Sequence, residues 1–178
     1  MIRTLTRFLR DFRRSEEGSG TIEFALMVPV MFGLCMSCIE LGILLTRQVM
    51  LDRGVDLAIR AVRVGAMETV THDTLRDAIC EGAVIIPDCT HELKLEMIPM
   101  NPRAWSAINA QADCVNRSDD SEPVRTFTPG QMNQLMILRA CSLFDPFFPT
   151  TGLGASIPKR SGGAYALISL TSYVVEPH

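Results

Sequence analysis

Several kinds of chemistry have no footing in this chain. Its histidines, His72, His91 and His178, are scattered, and no metal-ligand spacing appears around them. No glycine-rich loop follows a strand in the manner that cradles phosphate. Serine, histidine and aspartate all occur, but nothing places them as a triad. No internal repeat is visible. The net charge is −3 and the basic residues do not gather into one long patch, which argues against a nucleic-acid partner. No cofactor or metal is expected, and the reading is of a protein that is not an enzyme. Charge itself is missing from Phe24 to Ile39.

The absent charge lies within a hydrophobic stretch from Thr21 to Leu45. A helix of that length is roughly 37 Å long, enough to cross a hydrocarbon core of about 30 Å. Ahead of it, Arg3, Arg7, Arg10, Arg13 and Arg14 crowd the N-terminus, opposed there only by Asp11. Basic residues in front of a span predict a cytoplasmic N-terminus and place the bulk of the chain on the far side. Arg47 follows the span but does not outweigh the five. A conventional cleaved signal peptide fits less well, because the apolar core is too long and no small-x-small site closes it. At 178 residues the chain has room for one modest domain plus such an anchor.

The pattern divides the chain into a basic leader at 1–18, a membrane-spanning half-helix at 19–46, an amphipathic extension at 47–66 and an exported domain at 67–178. One helix is expected from about 21 to 66. Pro29 predicts a bend within it. Leu51, Val55, Ala58, Val62 and Gly65 follow at steps of four and three and form one apolar face. Gly54 weakens the helix there without ending it. A shorter helix is expected at about 73–82, capped by Thr71 or Asp73 and ended by Gly82, with Leu75, Ala78 and Ile79 as its stripe. Strand signals lie at 91–98, 132–140 and 164–175. The fold class is α+β: a long N-terminal helix, membrane-spanning first and amphipathic afterwards, packed on a small antiparallel sheet, because neither element can bury its apolar side alone.

Cys80, Cys89, Cys114 and Cys141 fall in the exported part and allow three pairings. Cys80 with Cys89 and Cys114 with Cys141 is the simplest. Such staples suit a small domain with long loops. Cys35 and Cys38 form a C-x-x-C within the span. Redox chemistry there needs a thiolate, which hydrocarbon disfavours, so they read as small apolar side chains. Phe144, Phe147 and Phe148, with Pro146 and Pro149, make an apolar loop that is either internal packing or a partner surface.

The segment Glu17-Gly18-Ser19-Gly20-Thr21-Ile22-Glu23-Phe24 is the most informative. Glu23 is an acid in the first turn of an apolar helix, tolerable at the headgroups near the positive end of the helix dipole. The spacing resembles a prepilin signal: a basic leader ending in glycine, a glutamate fifth in the chain that follows, then an aromatic. The resemblance implies a cut between Gly18 and Ser19 on the cytoplasmic side, with the helix retained. It gives Glu23 and Phe24 a role in processing and subunit register. A free ammonium on Ser19 is available to pair with the Glu23 of a neighbour, and in low dielectric that attraction is strong.

Residues 16–42, including Ala25-Leu26-Met27-Val28-Pro29 and Ile39-Glu40-Leu41-Gly42, look like the TadE-like pseudopilins of the tight-adherence (Flp) pilus system. Looser likenesses follow at 79–89, at Phe127-Thr128-Pro129-Gly130, at 144–149 and at Glu176-Pro177. The chain is far longer than the major pilin pattern. The resemblance therefore implies a pseudopilin or minor pilin, processed by a prepilin peptidase, that helps assemble or initiate a Tad/Flp adhesion pilus. Its implied partners are the major Flp pilin, other Tad pseudopilins and the inner-membrane pilus platform. The implied location is the bacterial inner membrane, single pass, with the C-terminal domain periplasmic or carried into a pilus. The alternative is an unprocessed, membrane-anchored periplasmic scaffold or binding module.

Overall fold

The computed structural model describes residues 19–104, 107–118 and 127–176. The leader, with Arg3, Arg7, Arg10, Arg13, Arg14 and Gly18, lies outside the described residues, as do Pro177 and His178.

Helix α1 runs unbroken from Ser19 to Arg63 and contains Pro29. Its 45 residues make it about 67 Å long. It starts two residues before the expected position and stops three before. Gly65 explains the earlier stop. Instead of continuing the apolar face, it adopts the left-handed conformation, with φ of 68°. Ala66 N–H then donates to Ala61 O (2.9 Å) and Gly65 N–H to Val62 O (3.2 Å). That pair of bonds satisfies carbonyls a helix end leaves open, and only glycine takes the required φ without strain.

Helix α2 (His72–Gly82) is capped by Thr71, whose side chain accepts the Thr74 N–H while the Thr74 side chain accepts the Thr71 N–H. A single turn, α3 (Cys89–Glu92), occupies the start of the expected first strand. Three strands follow, β1 (Leu93–Met100), β2 (Leu135–Phe144) and β3 (Tyr165–Val174), with the short helix α4 (Gly152–Ser156) between the last two. They form one antiparallel sheet in the order β1-β2-β3, with Met97 opposite Leu138 and Leu138 opposite Thr171. Pro99 is accommodated because β1 is an edge strand and needs no donor on its outer side. The middle strand runs to Phe144, past the expected end at 140, because its residues are buried on both faces and show no alternation to read.

The inner sheet face and the second half of α1 share one core. Leu51, Val55, Ala58, Ile59 and Val62 meet Leu75 and Ile79 of α2 and Leu95, Met97, Leu138 and Leu167 of the sheet. Gly54 sits where α1 and α2 cross. A Cβ there would collide with the Ile79 carbonyl oxygen and lie 3.0 Å from the Ala83 Cβ. The glycine that costs helix propensity therefore permits the closest approach of two backbones.

On the outer sheet face the polar side chains of β1 and β2 are buried under residues 107–118, while Ile168, Leu170 and Val174 of β3 stay exposed. Arg139 pairs with Glu96 and donates to the carbonyls of Asn109 (2.7 Å) and Gln111 (3.1 Å). Lys94 Nζ lies 3.1 Å from Asp113 Oδ2. Disulfides join Cys80 to Cys89 and Cys114 to Cys141, the second pinning this loop to β2.

Two outcomes test this packing. Gly54→Ala gains about 1 kcal/mol of helix propensity, yet overpacking at the crossing should leave the protein destabilised by about 1–3 kcal/mol, read as a lower Tm. Arg139→Leu should cost about 3–5 kcal/mol because Glu96 is left buried and unpaired, whereas Arg139→Leu with Glu96→Leu should recover most of it. Chemical denaturation of the two variants measures the difference.

Candidate functional site: the N-terminal helix and its grip on the head

The first half of α1 packs on little else in the chain. Ile22, Phe24, Leu26, Met27, Val30, Met31, Phe32 and Leu34 are all exposed, on every side of the helix. A helix apolar all round needs a lipid or protein environment to cover it. It is the one helix among the described residues that is long and apolar enough to cross a membrane, and it is compatible with a single-pass anchor.

Ser19 opens α1, so Glu23 is the fifth helical residue and stands just beyond the first turn, two positions deeper than expected. Dipole stabilisation fades over that turn, so the helix end alone compensates Glu23 less than the sequence implied. Glu23 and Phe24 are both exposed, and Glu23 has no ion-pair partner among the described residues. Cys35 and Cys38 are free and exposed on the same half-helix. The structure does not bring these residues together with the four disulfide cysteines, which all lie in the head.

The head begins to grip α1 well before the amphipathic extension. Glu40 is fully buried. Its carboxylate accepts the backbone N–H of Phe147 at Oε1 (3.1 Å) and that of Phe148 at Oε2 (2.9 Å). Two successive amides aimed at one carboxylate make a charge-assisted clasp. One turn earlier, Gly152 fits against Ser37 and the Gly33 carbonyl, and a Cβ on Gly152 would strike Ser37 Oγ. Thr151 Oγ1 approaches Met36 Sδ at 3.9 Å. Two turns after Glu40, on the same face, the Arg47 guanidinium lies over the Phe144 ring at 4.8 Å and donates to the Asp145 carbonyl at 3.5 Å. Gln48 continues the line by donating to Ile168 O of β3 (3.2 Å).

The aromatic loop thus divides by position. Phe144 is core, Phe148 is half-buried, and Phe147 keeps 63% of its surface exposed. Phe147 and Phe148 meet edge to face at 5.0 Å.

The sequence reading missed Glu40 and Arg47 as docking residues. A signal was present: they stand seven apart, on the face that Leu51 and Val55 continue, and Glu40 follows directly on the uncharged run. His72 was missed too. Its Nε2 accepts the Leu95 N–H at 3.2 Å, which caps part of the free edge of β1. The other ring nitrogen meets Asp73 at 3.1 Å, and that hydrogen bond, followed by the charge of Arg76, holds the Asp73 carboxyl below its usual range.

These features define a class: a protein carried on one long N-terminal helix whose first half is apolar and bare and whose second half is the spine of an α+β head. Residues 18–60 match the family model described as TadE-like protein. The match opens at Gly18, runs through Glu23 and Glu40, and ends within the buried face of α1, consistent with a TadE-like protein of the Tad pilus system. The looser likenesses in the head fall outside the matched residues. No curated protein and no solved structure matches the chain.

Removing the clasp leaves two partly buried amides without an acceptor, at about 1–3 kcal/mol each. Glu40→Ala should therefore loosen the 145–157 loop while the sheet stays intact. Hydrogen exchange would show much faster exchange at the Phe147 and Phe148 amides and unchanged protection in β2.

Proposed function

We propose that this chain is a minor pilin of the Tad system, cut between Gly18 and Ser19 by a prepilin peptidase and acting in assembly or initiation of the pilus. The observation that carries the reading is the match that opens at Gly18 and covers a bare apolar helix with Glu23 near its start. An adhesion pilus subunit needs a helix that is stable in lipid before assembly and can pack against like helices afterwards. A half-helix exposed on every side suits both states.

In this reading the arginine-rich leader stays in the cytoplasm and the head lies in the periplasm or in the filament. The Ser19 ammonium released by cleavage pairs with Glu23 of a neighbouring subunit, where exclusion of water strengthens the attraction. That pairing fixes axial register with the major Flp pilin or another minor pilin, on the inner-membrane platform. The role is structural and not catalytic.

N-terminal sequencing of the protein extracted from membranes tests the proposal. The expected first residue is Ser19, with Gly18→Leu leaving the leader attached. An intact Met1, or a cut beyond residue 40, rejects it.

A further inference from the structure

The loop between β2 and β3 lies against α1 beside the last turns of the uncharged run. Thr151 and Gly152 reach Met36 and Ser37, and Phe147 and Phe148 are bound to Glu40. Most of these α1 positions belong to the uncharged run that ends at Ile39. From Gly20, about 20 residues of helix cross a core of about 30 Å, which ends near Glu40. The loop therefore covers roughly the last 10 Å of that path.

The helix around it remains bare at the same height. Phe32, Leu34, Ile39 and Leu41 are exposed. Lipid that surrounds those side chains must also meet the loop packed on the same turns. The composition of the loop fits that contact. No charged residue occurs from Pro146 to Pro158. At its start, Asp145 pairs with Arg117 at 2.7 Å, a guanidinium that also meets Glu92 at 3.0 Å. Its end is cationic, since Lys159 and Arg160 are exposed, with Lys159 Nζ donating to the Pro149 carbonyl at 3.1 Å. Phe147 is the large exposed apolar side chain among the described residues of this loop. Its backbone is tied down by Glu40 while its ring is left uncovered.

We propose that residues 146–158 form a second membrane contact: an interfacial loop that inserts Phe147 into the leaflet on the head side and sets Lys159 and Arg160 among the lipid phosphates. Glu40 holds the loop at this depth, and its charge is met there by the two amides instead of by water. This inference rests on α1 being an anchor, and the test separates the two.

The full chain is reconstituted in vesicles of phosphatidylethanolamine and phosphatidylglycerol, with Trp105 replaced by phenylalanine. A single tryptophan is then placed by Phe147→Trp or, separately, by Met27→Trp within the span. Lipids brominated on their acyl chains and aqueous acrylamide serve as quenchers. Both tryptophans should be quenched by bromolipid, Met27→Trp most by bromines deep in the chain and Phe147→Trp most by bromines near the carbonyls. If Met27→Trp is quenched by lipid but Phe147→Trp only by acrylamide, the anchor stands and the loop proposal falls. If neither quencher reaches Phe147→Trp, the head itself or a second copy of the chain covers the loop and the proposal also falls. If Met27→Trp escapes the lipid quencher, the anchor reading fails and takes this one with it.

Discussion

Everything in the head depends on one shared surface, the face of α1 from Leu51 to Val62 laid against the sheet and α2. A small sheet is stable when its hydrophobic face is covered, and a helix owes most of its stability to the tertiary packing of such a face. Each supplies what the other lacks. Burial of an aliphatic side chain contributes about 1.5–3 kcal/mol, and the face includes Leu51, Val55, Ile59 and Val62. The close crossing of Gly54 over α2 belongs to the same constraint, because α2 closes the side of this core that the sheet leaves open. Above it, Arg47 and Glu40 prolong the contact by polar means into a region where apolar side chains are needed outside.

The opposite face of the sheet works differently. Lys94, Glu96 and Arg139 point away from α1 into a loop that has no regular structure, and Asp113 and two backbone carbonyls answer them. The Cys114–Cys141 disulfide reduces the freedom of that loop in the unfolded chain. Without the staple and the ion pairs, β2 would present a buried arginine to water on one side and a hydrophobic core on the other. The head is small, and it holds its second layer by bonds and charge where a larger domain would use another helix.

Much of the α+β architecture is written in local patterns. The uncharged run fixes α1, the step of four and three from Leu51 fixes its buried face, and Leu93, Leu95 and Met97 alternate as an edge strand should. The misreadings share a cause. Gly65 fits the apolar period as well as it fits a left-handed cap, and only the chain's departure after it decides. Met136 to Phe144 is buried on both faces, so alternation gives no end point. His91 and Glu92 have no strand partner and coil into a turn. At the candidate site, Gly18, Ser19, Glu23 and Phe24 stand out in the sequence through their resemblance to a prepilin signal. Glu40 is marked only by its place directly after the uncharged run, since its partners are amides more than a hundred residues away and backbone amides leave no mark in a sequence.

Because α1 passes from its bare half into the core without a break, there is no linker between the bare half-helix and the head. A tension applied at Ser19 travels along a continuous hydrogen-bonded rod and enters the head as shear across the Leu51–Val62 face, spread over several side chains at once. A tether ending in a flexible joint would instead peel the head open from one end, one contact at a time. The Glu40 clasp lies upstream of that face and takes load first.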